Sequence, residues 1–182
     1  MQSGEARAWI SLGGNMSWNG LLGGDLFAKA ITRLGEGGFR PLRRSRLWRG
    51  PAWPDPSDPL FYNAVVEGAW GGSAPELLTL LLLVEAEFGR RRSVKNAPRT
   101  LDLDLLDMEG GRGWFPPDLD VPHPRLAARA FILGPLAEAA PDWRHPGSGF
   151  SAQELYEVTE NKEDYGPVTE NGRWGAEITA NP

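Results

Sequence analysis

Pro98-Arg99-Thr100-Leu101-Asp102-Leu103-Asp104-Leu105-Leu106 alternates apolar and polar side chains as a β-strand does, because strand side chains point to opposite faces with a period of two. Asp102 and Asp104 therefore share one face, and Leu101, Leu103 and Leu105 share the other. Two carboxylates inside an apolar strand are costly unless something cationic meets them. Just upstream stand Arg90, Arg91, Arg92, Lys95 and Arg99, with no acid between positions 90 and 99. Guanidinium groups suit phosphate oxygens and hard carboxylate oxygens suit magnesium, so one segment carries both parts of a metal and phosphate site.

Working outward, Ser73-Ala74-Pro75-Glu76 reads as a capping box with proline in the first turn, and it opens a helix over about 74–88. The run from Leu77 to Val84 is apolar nearly all round and predicts a substantially buried helix, which Gly89 ends. Before it, Leu60 to Trp70 reads as a strand whose polar Asn63 calls for a specific hydrogen-bond partner. Prolines 51, 54, 56 and 59 make a loop. Phe39 to Trp48 is strand-like and, with Arg40, Arg43, Arg44, Arg46 and the adjoining Arg49, reads as an exposed edge whose charges oppose edge-to-edge pairing. Residues 7–12 predict a first strand, Gly13-Gly14-Asn15 a turn, and Asp25 to Leu34 a helix stopped by Gly35. No Gly-Lys-[Ser/Thr] follows the glycines, so this is not a P-loop.

Downstream, 107–113 reads as a turn, 114–121 as a small hairpin arm, and 125–139 as broken helical segments. Strand, helix, strand, strand, helix, strand is the ferredoxin-like βαββαβ order: an α+β fold with an antiparallel sheet and two helices on one face.

A length of 182 residues predicts one domain, over about 1–150. Residues 1–150 hold 17 basic and 17 acidic side chains, whereas 151–182 hold 2 and 7, so the net charge of -5 belongs to a C-terminal tail. That tail is poor in aliphatic residues, repeats Val-Thr-Glu-Asn at 158–161 and 168–171, and reads as flexible or loosely packed. There is no cysteine, which excludes disulfides, thiolate metal sites and a cysteine nucleophile. No charged-then-apolar leader and no long apolar run predicts a soluble, cytoplasmic protein without a membrane partner. A neutral body lacking the aromatic signature of RNA binders argues against nucleic acid, although the Arg40 to Arg49 stretch keeps a ferredoxin-like nucleic-acid module as the alternative.

Residue type alone leaves other positions open. His123, between two prolines, suits either a hydrogen bond to phosphate or a plug at a sheet edge. Glu85 suits either solvent or a ligand, and Trp53, Phe61 and Phe131 suit a core as readily as a stacking platform.

Several motifs in fixed order carry a resemblance. They are Leu12-Gly13-Gly14-Asn15, Trp48-Arg49-Gly50-Pro51-Ala52-Trp53-Pro54, Phe61-Tyr62-Asn63-Ala64-Val65, Glu85-Ala86-Glu87-Phe88-Gly89-Arg90, Ala97 to Asp104, and Val121-Pro122-His123-Pro124-Arg125-Leu126 with Arg129 and Phe131. Together they resemble the hydroxymethyldihydropterin pyrophosphokinase family of folate biosynthesis, from about residue 8 to 145.

The resemblance implies transfer of pyrophosphate from ATP to a pterin alcohol with release of AMP. It implies two Mg2+ ions on Asp102 and Asp104, and phosphate clamping by Arg90, Arg92 and Arg99. It places ATP contacts at Glu85, Arg92, Arg99, Leu105, His123 and Arg129. The pterin would stack between Phe61 and Phe131, with Asn63 and the Gly50, Pro51, Ala52 and Trp53 stretch reading its polar edge. A monomer acting on small molecules is expected. A family member that binds nucleotide without turnover is the other alternative, suggested by Leu82 and a basic loop one residue short of the family's.

Overall fold

The computed structural model describes residues 4–52, 55–91, 97–168 and 174. Its elements run β1 (Ala6–Gly14), α1 (Gly24–Glu36), β2 (Arg40–Arg44), β3 (Trp48–Gly50), β4 (Phe61–Trp70), α2 (Ala74–Glu87), β5 (Asp102–Met108), β6 (Gly113–Phe115), β7 (Leu119–Val121), α3 (Ala130–Ala139), α4 (Ala152–Val158) and β8 (Gly166–Pro167). The main sheet has the order β5-β1-β4-β3-β8, with β2 also on β4. All of its pairings are antiparallel. The strand-helix-strand-strand-helix-strand order is therefore present, with β2 and β3 sharing the role of its second strand.

Helices α1 and α2 cover one face as expected. Leu26, Phe27, Leu34, Leu77, Leu81 and Val84 bury there against Ile10, Leu12, Leu103 and Leu105, which is the apolar burial that holds the layers together. Gly68 lets Phe39 lie on β4, since a Cβ there would stand 2.2 Å from the Phe39 ring. Helix α2 is less enclosed than its composition predicts, with Leu82 and Leu83 39% and 49% exposed. A helix laid on one sheet face has only one side to bury, however apolar the other is.

The opposite face is half covered. Helices α3 and α4 pack there on Trp9, Val65 and Leu106 through Ile132, Leu133, Leu136 and Leu155. The β1–β5 register pairs Trp9 with Asp107 and Ile10 with Leu105, leaving Leu106 as an extra residue. This bulge turns both Leu106 and Asp107 toward the second core. The strand thus continues to Met108 where the sequence suggests a turn, because the fully buried Asp107 is neutralised. Its carboxylate accepts from Arg112 Nε and Nη2 at 3.0 and 2.8 Å and from Trp143 Nε1 at 2.9 Å.

Two expectations about the chain's margins are corrected. Phe39 to Trp48 is two strands separated at Ser45, whose Oγ accepts from Val65 N at 3.0 Å. Its arginines are partnered: Arg40 with Glu5 at 2.6 Å, Arg43 with Asp142 at 3.7 Å and Arg46 with Glu138 at 2.6 Å. Among the described strands β2 pairs only with β4 and is the exposed edge expected, whereas β3 is not an edge, because β8 pairs with it. Residues 151–168 and Trp174 are packed on the body, unlike the loose acidic tail expected. Ser151 and Glu154 form a capping box, Leu155 and Trp174 are buried, and Tyr156 meets the Trp48 ring edge-on at 5.8 Å. A few aromatic anchors hold this segment where mean composition, dominated by glutamates, suggests none.

Candidate active site

Alternation along three strands decides what the uncovered half-face presents. Ser11 and Gly13 of β1, Phe61 and Asn63 of β4, and Asp102 and Asp104 of β5 all lie on the side of Trp9, Val65 and Leu106, where only the first turn of α3, with Phe131, borders them. In register, Gly13 stands between Asn63 and Asp102, and Ser11 stands opposite Asp104. With neighbouring strands about 4.8 Å apart, Asn63 and Asp102 are separated by roughly two strand spacings. A cavity of about 820 Å³ opens over this half-face.

The glycines that end β1 permit close approach. A Cβ on Gly13 would lie 2.7 Å from the Phe61 ring, and one on Gly14 would lie 2.3 Å from the Thr100 carbonyl oxygen. Asn15 exploits this proximity. Its backbone N–H donates to Arg99 O at 2.9 Å, its Oδ1 accepts from Arg99 N at 2.9 Å, and its Nδ2 donates to Pro59 O at 3.1 Å. The β1 turn therefore grips the chain entering β5 and sets where Arg99 stands.

Charge gathers at the β5 side of the cavity. Arg90 Nη2 and Arg99 Nε approach the two Asp102 oxygens at 3.0 and 2.9 Å. The buried Arg90 Nε has no hydrogen-bond acceptor among the described residues, and the Arg99 Nε–H, although 2.9 Å from Asp102, is not aligned to donate to it, so both N–H groups remain to be satisfied. Arg129 Nη1 lies 3.8 Å from Asp104 Oδ2. Burial, reinforced by the neighbouring Asp102 charge, pushes the Asp104 carboxyl above the usual carboxylate range. His123 is pulled below the usual histidine range by burial, with Asp104 partly opposing. The Arg125 backbone N–H donates to His123 Nδ1 at 3.1 Å, so the neutral ring carries its proton on Nε2 and can donate from there.

This charge distribution fits a divalent cation. The Asp104 carboxylate, raised in cost by burial and by the neighbouring Asp102 charge, is relieved by positive charge placed beside it. Among the described residues there is no group of three or more His, Cys, Asp or Glu side chains suited to a metal. A two-carboxylate site completed by water and phosphate oxygens matches magnesium rather than zinc.

The β4 side of the same cavity is apolar and flat, lined by Pro51, Phe61, Asn63, Phe131 and Tyr165. Among the described residues nothing hydrogen-bonds the Asn63 side chain, which leaves its amide for a ligand. Guanidiniums flank both aromatic rings: Arg99 lies 5.0 Å from the Phe61 centroid and Arg129 5.5 Å from that of Phe131.

Of the residues singled out in the sequence, Arg90, Arg99, Asp102, Asp104, His123, Arg129, Pro51, Phe61, Asn63 and Phe131 line this one cavity. Gly50 and Ala52 are buried beside it. Leu105 turns its side chain into the core under the sheet, so only its backbone faces the site. Glu85 is 2% exposed and accepts from Leu103 N at 2.8 Å, supporting β5 from beneath. Arg92 and Trp53, with Lys95, lie outside the described residues. Sequence reasoning passed over Ser11, Arg125 and Tyr165 in the lining, and Asn15 as the clamp on Arg99. Asn15 was accessible, since an amide directly after paired glycines marks a turn gripping nearby backbone. Tyr165 was not, because its place depends on a distant strand pairing.

Comparison with known proteins agrees with this arrangement. Residues 9–141 match the family model described as 7,8-dihydro-6-hydroxymethylpterin-pyrophosphokinase. The chain is 41% identical over 151 residues to the 2-amino-4-hydroxy-6-hydroxymethyldihydropteridine pyrophosphokinase of Synechocystis, covering 82% of this chain and 74% of the relative. It is 36% identical over 137 residues to the Methylorubrum extorquens protein of the same name, covering 75% and 84% respectively. In structure it is similar to Plasmodium falciparum HPPK-DHPS, with a TM-score of 0.65 at 13% identity, over 84% of this chain and 44% of the other. The chain thus spans less than half the length of that two-part protein, and the likeness there is one of fold. Match by match, the chain belongs to the 7,8-dihydro-6-hydroxymethylpterin-pyrophosphokinase family.

Proposed function

We propose that this chain transfers pyrophosphate from ATP to the hydroxymethyl group of 6-hydroxymethyl-7,8-dihydropterin, releasing AMP. The observation that carries the reading is one cavity joining a paired-carboxylate, arginine-lined side to a flat aromatic side with an unused amide. The pterin hydroxyl oxygen bonds to the β-phosphorus of ATP and the bond from that phosphorus to the α,β-bridging oxygen breaks. AMP leaves with the bridging oxygen, and the hydroxyl proton passes to water.

Arg90 and Arg99 hold the phosphates through N–H groups that Asp102 alone does not satisfy. His123 donates from Nε2, and Arg129 adds charge beside Asp104. Phe61 and Phe131 hold the pterin ring, with Asn63 reading its edge, so the two substrates are oriented before reaction. Asp102 and Asp104 would hold magnesium, two ions in this reading, which when bound supplies charge that acidifies the hydroxyl and stabilises the transferring group. Positioning and electrostatics suffice, without a dedicated side-chain base.

The test is incubation with ATP, magnesium and the pterin alcohol, following AMP by chromatography; no AMP above the enzyme-free control would overturn the reading. A monomer acting in the cytoplasm on diffusible substrates is part of the proposal. Among the described residues no helix is long and apolar enough to cross a membrane. Sedimentation at working concentration tests the monomer, and a dimer would revise it. Arg40, Arg43 and Arg46 pair with Glu5, Asp142 and Glu138, which weighs against the basic stripe that a nucleic-acid module would use.

A further inference from the structure

The segment that follows α4 returns to the cavity. Gly166 pairs with Arg49, Pro167 pairs with Trp48, and Val168 N donates to Leu47 O at 2.9 Å, so β8 lies along the strand leading into Gly50 and Pro51. Just before it, Tyr165 lines the cavity together with Glu160 and Asn161. Its ring centroid lies 5.6 Å from that of Phe131 at 50°. Beneath it Gly50 is required, because a Cβ there would stand 2.1 Å from the Tyr165 ring.

The segment is fixed at both ends. Upstream, Tyr156 donates to Lys162 O at 3.3 Å and packs on Trp48. Downstream, the buried Trp174 donates from Nε1 to Ser45 O at 3.1 Å and meets Phe27 edge-on at 5.9 Å. A half-buried aromatic ring, held by a strand on one side and facing a cavity on the other, is preorganised contact surface for a flat ligand.

We propose that residues 160–168 form a wall of the ring-binding side of the cavity, and that Tyr165 is a specificity-determining residue for the flat heteroaromatic substrate. The inference rests on the pterin reading of the cavity above. Tyr165 backs Phe131 and narrows the space beside Gly50, favouring a planar ring over bulkier groups. The contacts its ring makes are with Phe131 and over Gly50, both on the ring-binding side, so it acts on the ring substrate and leaves the nucleotide to other residues.

Steady-state AMP release by the full chain, varying pterin alcohol and ATP separately, tests this. Tyr165→Ala is expected to raise KM for the pterin by roughly three- to tenfold, with kcat and KM for ATP within about twofold. Tyr165→Phe restores the wild-type KM. Gly50→Ala, which forces the ring aside while leaving it in the chain, raises the pterin KM in the same direction. An unchanged or lowered pterin KM in a Tyr165→Ala protein that melts as the wild type does overturns the inference. Phe61→Ala is measured beside it. If Phe61→Ala alone raises the pterin KM, the Tyr165 role is wrong; if neither variant does, the pterin reading of this cavity fails as well.

Discussion

Asp104→Asn separates catalysis from folding. The Asp104 carboxyl is pushed upward by burial and by Asp102, so in the free protein its negative charge costs stability. Among the described residues the nearest cation, Arg129 Nη1 at 3.8 Å, compensates only in part. An amide of the same shape removes the repulsion and leaves the packing alone. Because the Asp104 side chain is 40% exposed, solvent screens much of the gain, which should stay within about 1 kcal/mol. For a chain of this size that is a rise of at most about 2–4 °C in melting temperature. On the proposed reading turnover should move the other way, because a neutral amide would no longer hold the cation that would meet the transferring charge. The loss expected is on the order of 10²–10³-fold or more in kcat, the scale seen when one preorganised electrostatic group is removed. Melting by circular dichroism and AMP release on the same preparation supply both numbers. Turnover within tenfold of wild type, or a melting temperature more than about 5 °C lower, would refute the assignment of Asp104 as a metal-holding group free of structural duty.

Three further outcomes follow from other parts of the molecule. Asn15→Ala deletes the acceptor for Arg99 N and the donor to Pro59 O, and should cost about 1–3 kcal/mol in urea unfolding together with a fall in kcat through misplacement of Arg99; unaltered kcat would show that the clamp does not position that arginine. Asp107→Ala leaves Trp143 Nε1 without its acceptor in a buried site and releases the partly exposed Arg112 guanidinium, and should destabilise by about 1–3 kcal/mol, read from the denaturant midpoint, whereas no loss would contradict the network. Glu67 is held above the usual carboxylate range by burial, with Arg7 at 3.6 Å opposing. Its folded form therefore binds a proton more tightly than its unfolded form, and stability falls as pH rises from the ordinary carboxylate range through the folded value. Glu67→Gln should match wild type at acidic pH and exceed it near pH 7 in urea melts, and a less stable variant at pH 7 would mean that the Arg7 pairing outweighs burial.

The period-two alternation of 101–105 and the capping box at Ser73 were legible because they depend on residues adjacent in sequence, and both local patterns stand as read. The same alternation placed Asp102 and Asp104 on one face, and the resemblance joined them to Phe61, Asn63, His123 and Phe131, which the fold gathers around one cavity. What depended on tertiary contact was not legible. The bulge at Leu106 is a property of β5 against β1, and the exposure of Leu82 and Leu83 depends on which side of α2 meets the sheet. The C-terminal segment is the sharpest case. Its composition is that of a solvated acidic tail, yet Tyr156, Tyr165 and Trp174 fix it against Trp48, Phe131 and Phe27. Local sequence sets the period and polarity of each element, because both act over a turn or a strand. Where a lone aromatic ring finds its partner more than a hundred residues away, as Trp174 finds Ser45, only the folded chain decides.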